Sequence, residues 1–425
     1  MYISLILCLF LVEIFAEIGL PNYRPVWITG LSLKNFFLYF LFLCFLTHII
    51  IKRDWSFLQY TKVIHIFYIL LIVYGSISVV YNSIFSNIPH YNVNSAIQTL
   101  KEDLVDTYLL FLIFSYFVDT KEKAHFFFKF FLVLMTIGCI LTIIGVYIPS
   151  LNFFGFDEGN IRANGPMGEP NQTGAVLALF ILFAISMFWK STNISRYIYA
   201  LSVSLMLATL LLTSSRGGLL GVILGLCIFI WLLRKKMSLG VIVLVIVSFF
   251  LFFGLSWFLA PESYKNLFLS RIGMLEVHNK LDLYYISAGR TYIWKRGLEV
   301  LIKSPVLGYG WAAFRFFTHY SSHNTFLEVL VSVGIIGFIL YISIFFFLLK
   351  ILYKTAVDSN EPYSTYIFGI IAGICALLCS VFFVNLYKPW LVVWSFLGVC
   401  IGYANLLLIQ TDSKEDKNES LYVNG

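Results

Sequence analysis

The chain has 425 residues, of which 60% are hydrophobic and 12% charged, against roughly 45–50% and 25% in soluble globular domains. With a mean hydropathy of +0.87, it is neither a water-soluble enzyme nor a disordered chain nor a disulfide-stapled secreted scaffold. The excess of 29 basic over 22 acidic residues does not indicate nucleic acid, because the basic residues stand singly at the ends of apolar runs and the longest cluster is Arg234-Lys235-Lys236.

A membrane-spanning helix takes about 20 apolar residues. Apolar runs predict twelve, at 1–20, 33–51, 63–81, 104–118, 126–148, 173–189, 197–213, 217–233, 239–259, 324–349, 366–386 and 390–409. The first has neither a basic start nor a small-residue cleavage site, so it is expected to be a retained span rather than a signal peptide. All seven cysteines fall inside apolar runs, where they pack as small apolar residues rather than forming loop disulfides or a zinc site. With the N-terminus in the cytoplasm, fourteen Lys and Arg residues lie in inside segments and six in short outside loops. By the positive-inside rule both termini are therefore expected to be cytoplasmic. The expected organisation is a single transmembrane domain over 1–409, with extracytoplasmic loops at 149–172 and 260–322, and a polar, disordered tail at 410–425.

Long connections in compact proteins tend to carry function. The second of these loops holds eight basic residues and a helical apolar stripe of Ile293, Trp294, Leu298, Leu301 and Ile302, closed by Ser304-Pro305. The stripe predicts a helix on the membrane surface. No internal repeat is visible.

Three patches carry chemistry. In Thr213-Ser214-Ser215-Arg216-Gly217-Gly218, the glycines recur as Gly217, Gly221 and Gly225, a spacing that lets a neighbouring helix approach closely. Arg216 lies on the outer side against the topological bias, where it serves as a helix-end anchor or holds an anion. In the second patch, Arg290 follows Gly289 at a helix start. There backbone N–H groups and a guanidinium fork suit an anion, and a headgroup anchor is the other reading. In the third, His323-Asn324-Thr325-Phe326-Leu327-Glu328 runs into Gly334 and Gly337. At about 100° per residue, His323 and Gly334 fall within roughly 20° on one helix face. A histidine at the water boundary suits a general base, or it is an interfacial histidine bonded to loop carbonyls.

Together, SSRGG, GRTYIWKRGLEVLIKSPVLGYG and HNTFLEVLVSVGIIGF resemble the O-antigen ligase and polysaccharide polymerase superfamily of bacterial membrane glycosyltransferases. The stretch Arg162-Ala163-Asn164-Gly165-Pro166 to Glu169-Pro170-Asn171 is similar to the family's earlier outer loop. The resemblance spans about residues 162–337. It implies a GT-C-like, all-α polytopic fold in the bacterial cytoplasmic membrane. It also implies glycosyl transfer at the outer face from an undecaprenyl-diphosphate-linked glycan donor to a glycan or lipid A core acceptor. Arg216 and Arg290 would hold the donor diphosphate and His323 would serve the acceptor hydroxyl, with Arg162, Glu169, Asn171 and Asn324 as further substrate-binding residues. Membrane lipids, a flippase and a chain-length regulator are the other expected partners. No cofactor is expected. No metal is expected either, since the outer loops lack an Asp-x-Asp pair, Asp157-Glu158 being the nearest substitute. Glu13, Glu17 and Asp106 are intramembrane carboxylates without an assigned role. The rival readings are a flippase or transporter and an inactive assembly scaffold. Against transport stand the missing repeat and the few charges at mid-membrane.

Overall fold

The computed structural model describes all residues except 1, 22, 24–25, 29–30, 86–90, 158–161, 236–238, 273–288 and 424–425. Arg24, Glu158, Lys236, Ser287 and Ala288 thus lie outside the described residues. Helices form the bundle in the order α1 (Tyr2–Gly19), α2 (Leu33–Lys52), α3 (Lys62–Phe85), α4 (Val93–Leu100), α5 (Asp106–Phe117), α6 (Lys121–Tyr147), α7 (Pro170–Lys190) and α8 (Asn193–Leu212). They continue as α9 (Arg216–Leu233), α10 (Leu239–Leu259), α11 (Glu262–Ile272), α12 (Arg290–Leu301), α13 (Phe314–Thr318), α14 (Thr325–Asp358), α15 (Tyr363–Val381) and α16 (Trp390–Val423). A π-helical turn, Lys101–Val105, joins α4 to α5. The described strands form two short antiparallel pairs, Val26–Ile28 with Leu31–Ser32 and Phe156–Asp157 with Arg162–Ala163.

Each expected span coincides with a helix. Among the described residues nine helices, α2, α3, α6 to α9 and α14 to α16, are long and apolar enough to cross a membrane. The chain is an all-α polytopic membrane protein. The expected fourth span differs: α5 has only 12 residues, short of a full crossing, and is prolonged by the π-turn and α4. The stretch expected as a disordered tail continues α16 as helix to Val423, since its Lys and Glu residues are good helix formers.

The centre is α7, α9 and α15 packed on one another, with α16 against α5 and α14 against α3. Bare backbone makes the central contact. A Cβ on Gly225 would meet Ala376 at 2.8 Å, and one on Gly218 would meet the backbone of Gly174 at 2.7 Å. The expected glycine ladder is therefore a packing face, as small residues are between membrane helices.

One spanning helix is broken. In α14, Gly334 has φ 63° and ψ −168°, a region open essentially to glycine. The backbone groups freed there are met by the loop before the helix. Ile335 N–H donates to the Pro305 carbonyl (2.8 Å), Tyr309 N–H to that of Val331 (3.0 Å) and Gly310 N–H to that of Ser332 (2.9 Å). From α3, the Tyr74 and Ser78 hydroxyls donate to the carbonyls of Val306 (2.9 Å) and Leu307 (2.8 Å), and the Asn82 amide to that of Gly308 (3.4 Å). Irregular backbone inside a helix bundle persists where its polar groups find such partners.

Candidate active site

Both expected anion-binding arginines open a helix. Arg216 starts α9 behind Ser215, whose hydroxyl accepts from Gly218 N–H at 3.3 Å. Arg290 starts α12 behind Gly289, whose φ of 78° turns the chain into the helix. In each case the guanidinium belongs to the first turn of a helix, the end whose backbone N–H groups and dipole favour an anion. The fold brings the two together across 74 residues of sequence. Arg216, Arg290, Asn171, Ser214, Ser215 and Ser380 line one polar cleft, walled by Phe383 and Val384. Its volume is about 10 Å³, room for a water molecule.

His323 is not on the helix face expected for it. It precedes the N-cap of α14 in a left-handed turn (φ 47°), and Gly334 breaks the helix below, so the two share no continuous face. The turn is pinned by Ser322. Its hydroxyl donates to Asn385 Oδ1 (2.9 Å) and accepts from Asn324 N–H (3.1 Å), while its carbonyl accepts from the Trp294 indole N–H (2.8 Å). Burial lowers the His323 pKa below its usual value, and the positive charges of Arg290 and Arg315 lower it further. The imidazole is thus neutral at neutral pH, with an open lone pair for a proton.

The other expected substrate residues divide. Asn171 lines the arginine cleft. Asn324 is buried and caps α14, its Oδ1 accepting from Leu327 N–H at 3.0 Å. Glu169 caps α7, with one oxygen accepting from Gln172 N–H (2.8 Å) and the other from the Asn171 amide (2.7 Å). Arg162 is 1% exposed. Its Nε donates to the Thr213 carbonyl (3.0 Å), one terminal nitrogen donates to Asn171 Oδ1 (2.9 Å), and the other lies 3.5 Å from Asp157. Arg162 therefore braces the loop before α7 against the turn that carries Arg216, and is not among the residues lining the cleft. The amphipathic helix also departs from expectation. In α12, Ile293, Trp294 and Leu301 pack towards Phe314, Leu327 and Val331, while Leu298 and Ile302 stay exposed.

A second, larger compartment adjoins the cleft. It measures about 730 Å³, and its wall includes Lys34, Glu102, Asp103, Trp311, Arg315, Glu328, Asn385, Tyr387, Lys388, Trp390 and Trp394. The segment after α15 divides the two spaces: Val384 faces the cleft and Asn385 the cavity, as Asn171 and Gln172 do on the opposite side. Sequence reading assigned no role to these residues. Glu328 carried a signal, an acidic residue in the first turn of an apolar helix, but Asn385, which bonds to it, comes from 57 residues further along the chain.

Residues 201–342 match the model of the O-antigen ligase family. The matched segment contains Arg216, Arg290, the turn at His323 and the break at Gly334. This third of the chain is similar to the O-antigen ligase family, and two relatives point to the same O-antigen ligase and polymerase superfamily. Within it, the chain is 24% identical over 227 residues to the ComP-specific O-oligosaccharyltransferase of Acinetobacter baylyi, a match covering 49% of this chain and 39% of that protein. It is 32% identical over 103 residues to the exopolysaccharide production protein ExoQ of Rhizobium meliloti, covering 19% of this chain and 23% of that protein. The matches thus span well under two thirds of either relative. The matched segment supplies both arginines of the cleft and the histidine turn, while Asn171, Ser380, Phe383 and Val384 of the cleft come from outside it.

Proposed function

We propose that this protein is a glycosyltransferase of the bacterial cytoplasmic membrane. It transfers an undecaprenyl-diphosphate-linked oligosaccharide to an acceptor sugar hydroxyl at the outer face, and extends a surface polysaccharide by repeat units. The observation that carries this reading is the position of His323, within electrostatic reach of Arg290 in the cleft and of Arg315 in the cavity. In the reaction the acceptor oxygen bonds to the anomeric carbon as that carbon's bond to the diphosphate oxygen breaks. The hydroxyl proton passes to His323, and the negative charge gathering on the departing diphosphate meets the forks of Arg216 and Arg290. A single displacement of this kind inverts the anomeric centre, and it needs no metal ion.

A second reading keeps the chemistry and changes the acceptor. The similarity to a protein named as an O-oligosaccharyltransferase favours transfer to a protein side chain or, as in a ligase, to lipid A core. The similarity to an exopolysaccharide production protein favours polymerisation. A gel profile of surface polysaccharide from a deletion strain carrying wild type or His323→Ala separates these readings. Single repeat units on their usual anchor indicate a lost polymerase, and long chains stranded on the lipid carrier indicate a lost ligase. A wild-type ladder in the deletion strain itself refutes both.

A further inference from the structure

We infer that the 730 Å³ cavity is the acceptor subsite and takes an uncharged, hydroxyl-rich sugar terminus, with Asp103, Arg315 and Glu328 bonding its hydroxyls. The inference rests on the transfer reaction proposed above and names where its second substrate sits.

The volume lies within the roughly 300–1,000 Å³ typical of small-molecule sites, whereas the arginine cleft is far smaller. Polar groups converge on one side of it. Arg315 stacks over the Tyr387 ring at 4.7 Å and lies within electrostatic reach of Asp103 and Glu328. Asp103 accepts from the Trp311 indole N–H at 2.9 Å, and Glu328 accepts from the Asn385 amide at 2.7 Å. Asp103 and Glu328 each line the cavity and remain partly exposed, so they keep lone pairs for hydroxyl donors.

Two other occupants fit poorly. A prenyl chain would strip water from six ionisable side chains, Lys34, Glu102, Asp103, Arg315, Glu328 and Lys388, without replacing it. A polyanion would meet a wall of three basic and three acidic side chains. Glu17, moreover, already sits 3.6 Å from both Lys34 and Lys388. Paired hydrogen-bonding groups beside an apolar wall that includes Leu71, Val329 and the tryptophan edges suit a sugar, which offers apolar ring faces and a belt of hydroxyls.

His323 lines neither space but is tied to the cavity wall through the chain. Ser322, its neighbour, bonds to Asn385 and Glu328 of the cavity wall. A hydroxyl held at that wall is delivered towards the imidazole, while the donor's diphosphate is held on the far side by Arg290.

The test uses the full-length protein in detergent and, as probe, the glycan released by mild acid from lipid extracts of the deletion strain. Trp311, Trp390 and Trp394 report occupancy by fluorescence. The expected result is saturable quenching by the free glycan. Binding weakens at least tenfold in Asp103→Asn and in Glu328→Gln and is unchanged in Arg216→Ala. The quench persists in the presence of farnesol. Two-substrate kinetics then show a raised acceptor KM with an unaltered donor KM for Asp103→Asn, a split that simple misfolding does not produce. If Glu328→Gln fails to fold, as judged by its elution profile, Asp103→Asn and Trp311→Phe carry the test. The inference is overturned by absent or non-saturable quenching, by displacement with farnesol, or by equal binding in Asp103→Asn and wild type. Saturable glycan binding by a wild type that transfers nothing would instead refute the proposed reaction and leave the subsite standing.

Discussion

Replacing Gly334 with alanine should undock the loop that seats the site. At φ 63° and ψ −168° a side chain costs about 1–3 kcal/mol in backbone strain alone. The added Cβ would also collide with the carbonyl of Val306 and come within 2.8 Å of Gly308 N. Those are backbone atoms, so the loop itself has to move. Moving it breaks the three hydrogen bonds from Ile335, Tyr309 and Gly310 described above, each worth about 1 kcal/mol net. The sum is about 5 kcal/mol, equivalent to more than a thousandfold loss of the docked loop at about 1.4 kcal/mol per tenfold. The assay is limited trypsin digestion in detergent, scored at Lys303 and Arg315, which flank the docked segment, with thermal unfolding and transfer activity alongside. Gly254→Ala is the control, because nothing lies within 4 Å of a Cβ there. Faster cleavage and lost activity in Gly334→Ala are expected, with Gly254→Ala like wild type. Identical digestion patterns for Gly334→Ala and wild type would refute the reasoning.

Other outcomes follow from the same geometry. The acidic limb of kcat/KM should fall below the ordinary histidine value, because burial and two guanidinium groups disfavour protonated His323. Arg290→Ala removes one of those charges and should move that limb to higher pH in any residual activity; a limb that shifts down or stays put contradicts the assignment. Bound diphosphate partly neutralises Arg290, so the limb of kcat should lie above that of kcat/KM. Arg290→Lys should lose most transfer, since an ammonium does not reproduce a planar fork, and near-normal rates would count against the diphosphate clamp. Arg162→Met should destabilise the protein by about 2 kcal/mol, because it removes the donor to the Thr213 carbonyl and Asn171 Oδ1, seen as a lowered unfolding midpoint; a mutant as stable as wild type but inactive would return Arg162 to the substrate. Glu169→Ala should cost about 1 kcal/mol as a lost helix cap and loosen Asn171, read as a modest drop in the same midpoint.

The bundle was largely legible in the sequence because lipid imposes one rule, a long apolar run per helix, and every expected span meets a helix in the structure. The patches holding Arg216, Arg290 and His323 were legible too, since a charge or imidazole at the edge of an apolar run stands out. Their neighbours were not. Gly334 looks in sequence like a gap on a helix face, and its role as a break depends on Val306 and Gly308 approaching from a loop some 26 residues earlier. Arg162 reads as an outer-loop cation, and only the fold buries it beneath the carbonyl of Thr213. The cavity drew on Asp103, Trp311, Glu328 and Asn385, four residues that no local spacing connects.

The most direct measurement is transfer by the purified protein in liposomes, supplied with the undecaprenyl-linked glycan extracted from its own deletion strain, for wild type, His323→Ala and Arg216→Ala. Longer glycan on the lipid carrier with wild type, and none with either variant at unchanged folding, is the result the account predicts. Undiminished transfer by both variants, or a wild type that consumes no donor with any acceptor, would contradict it.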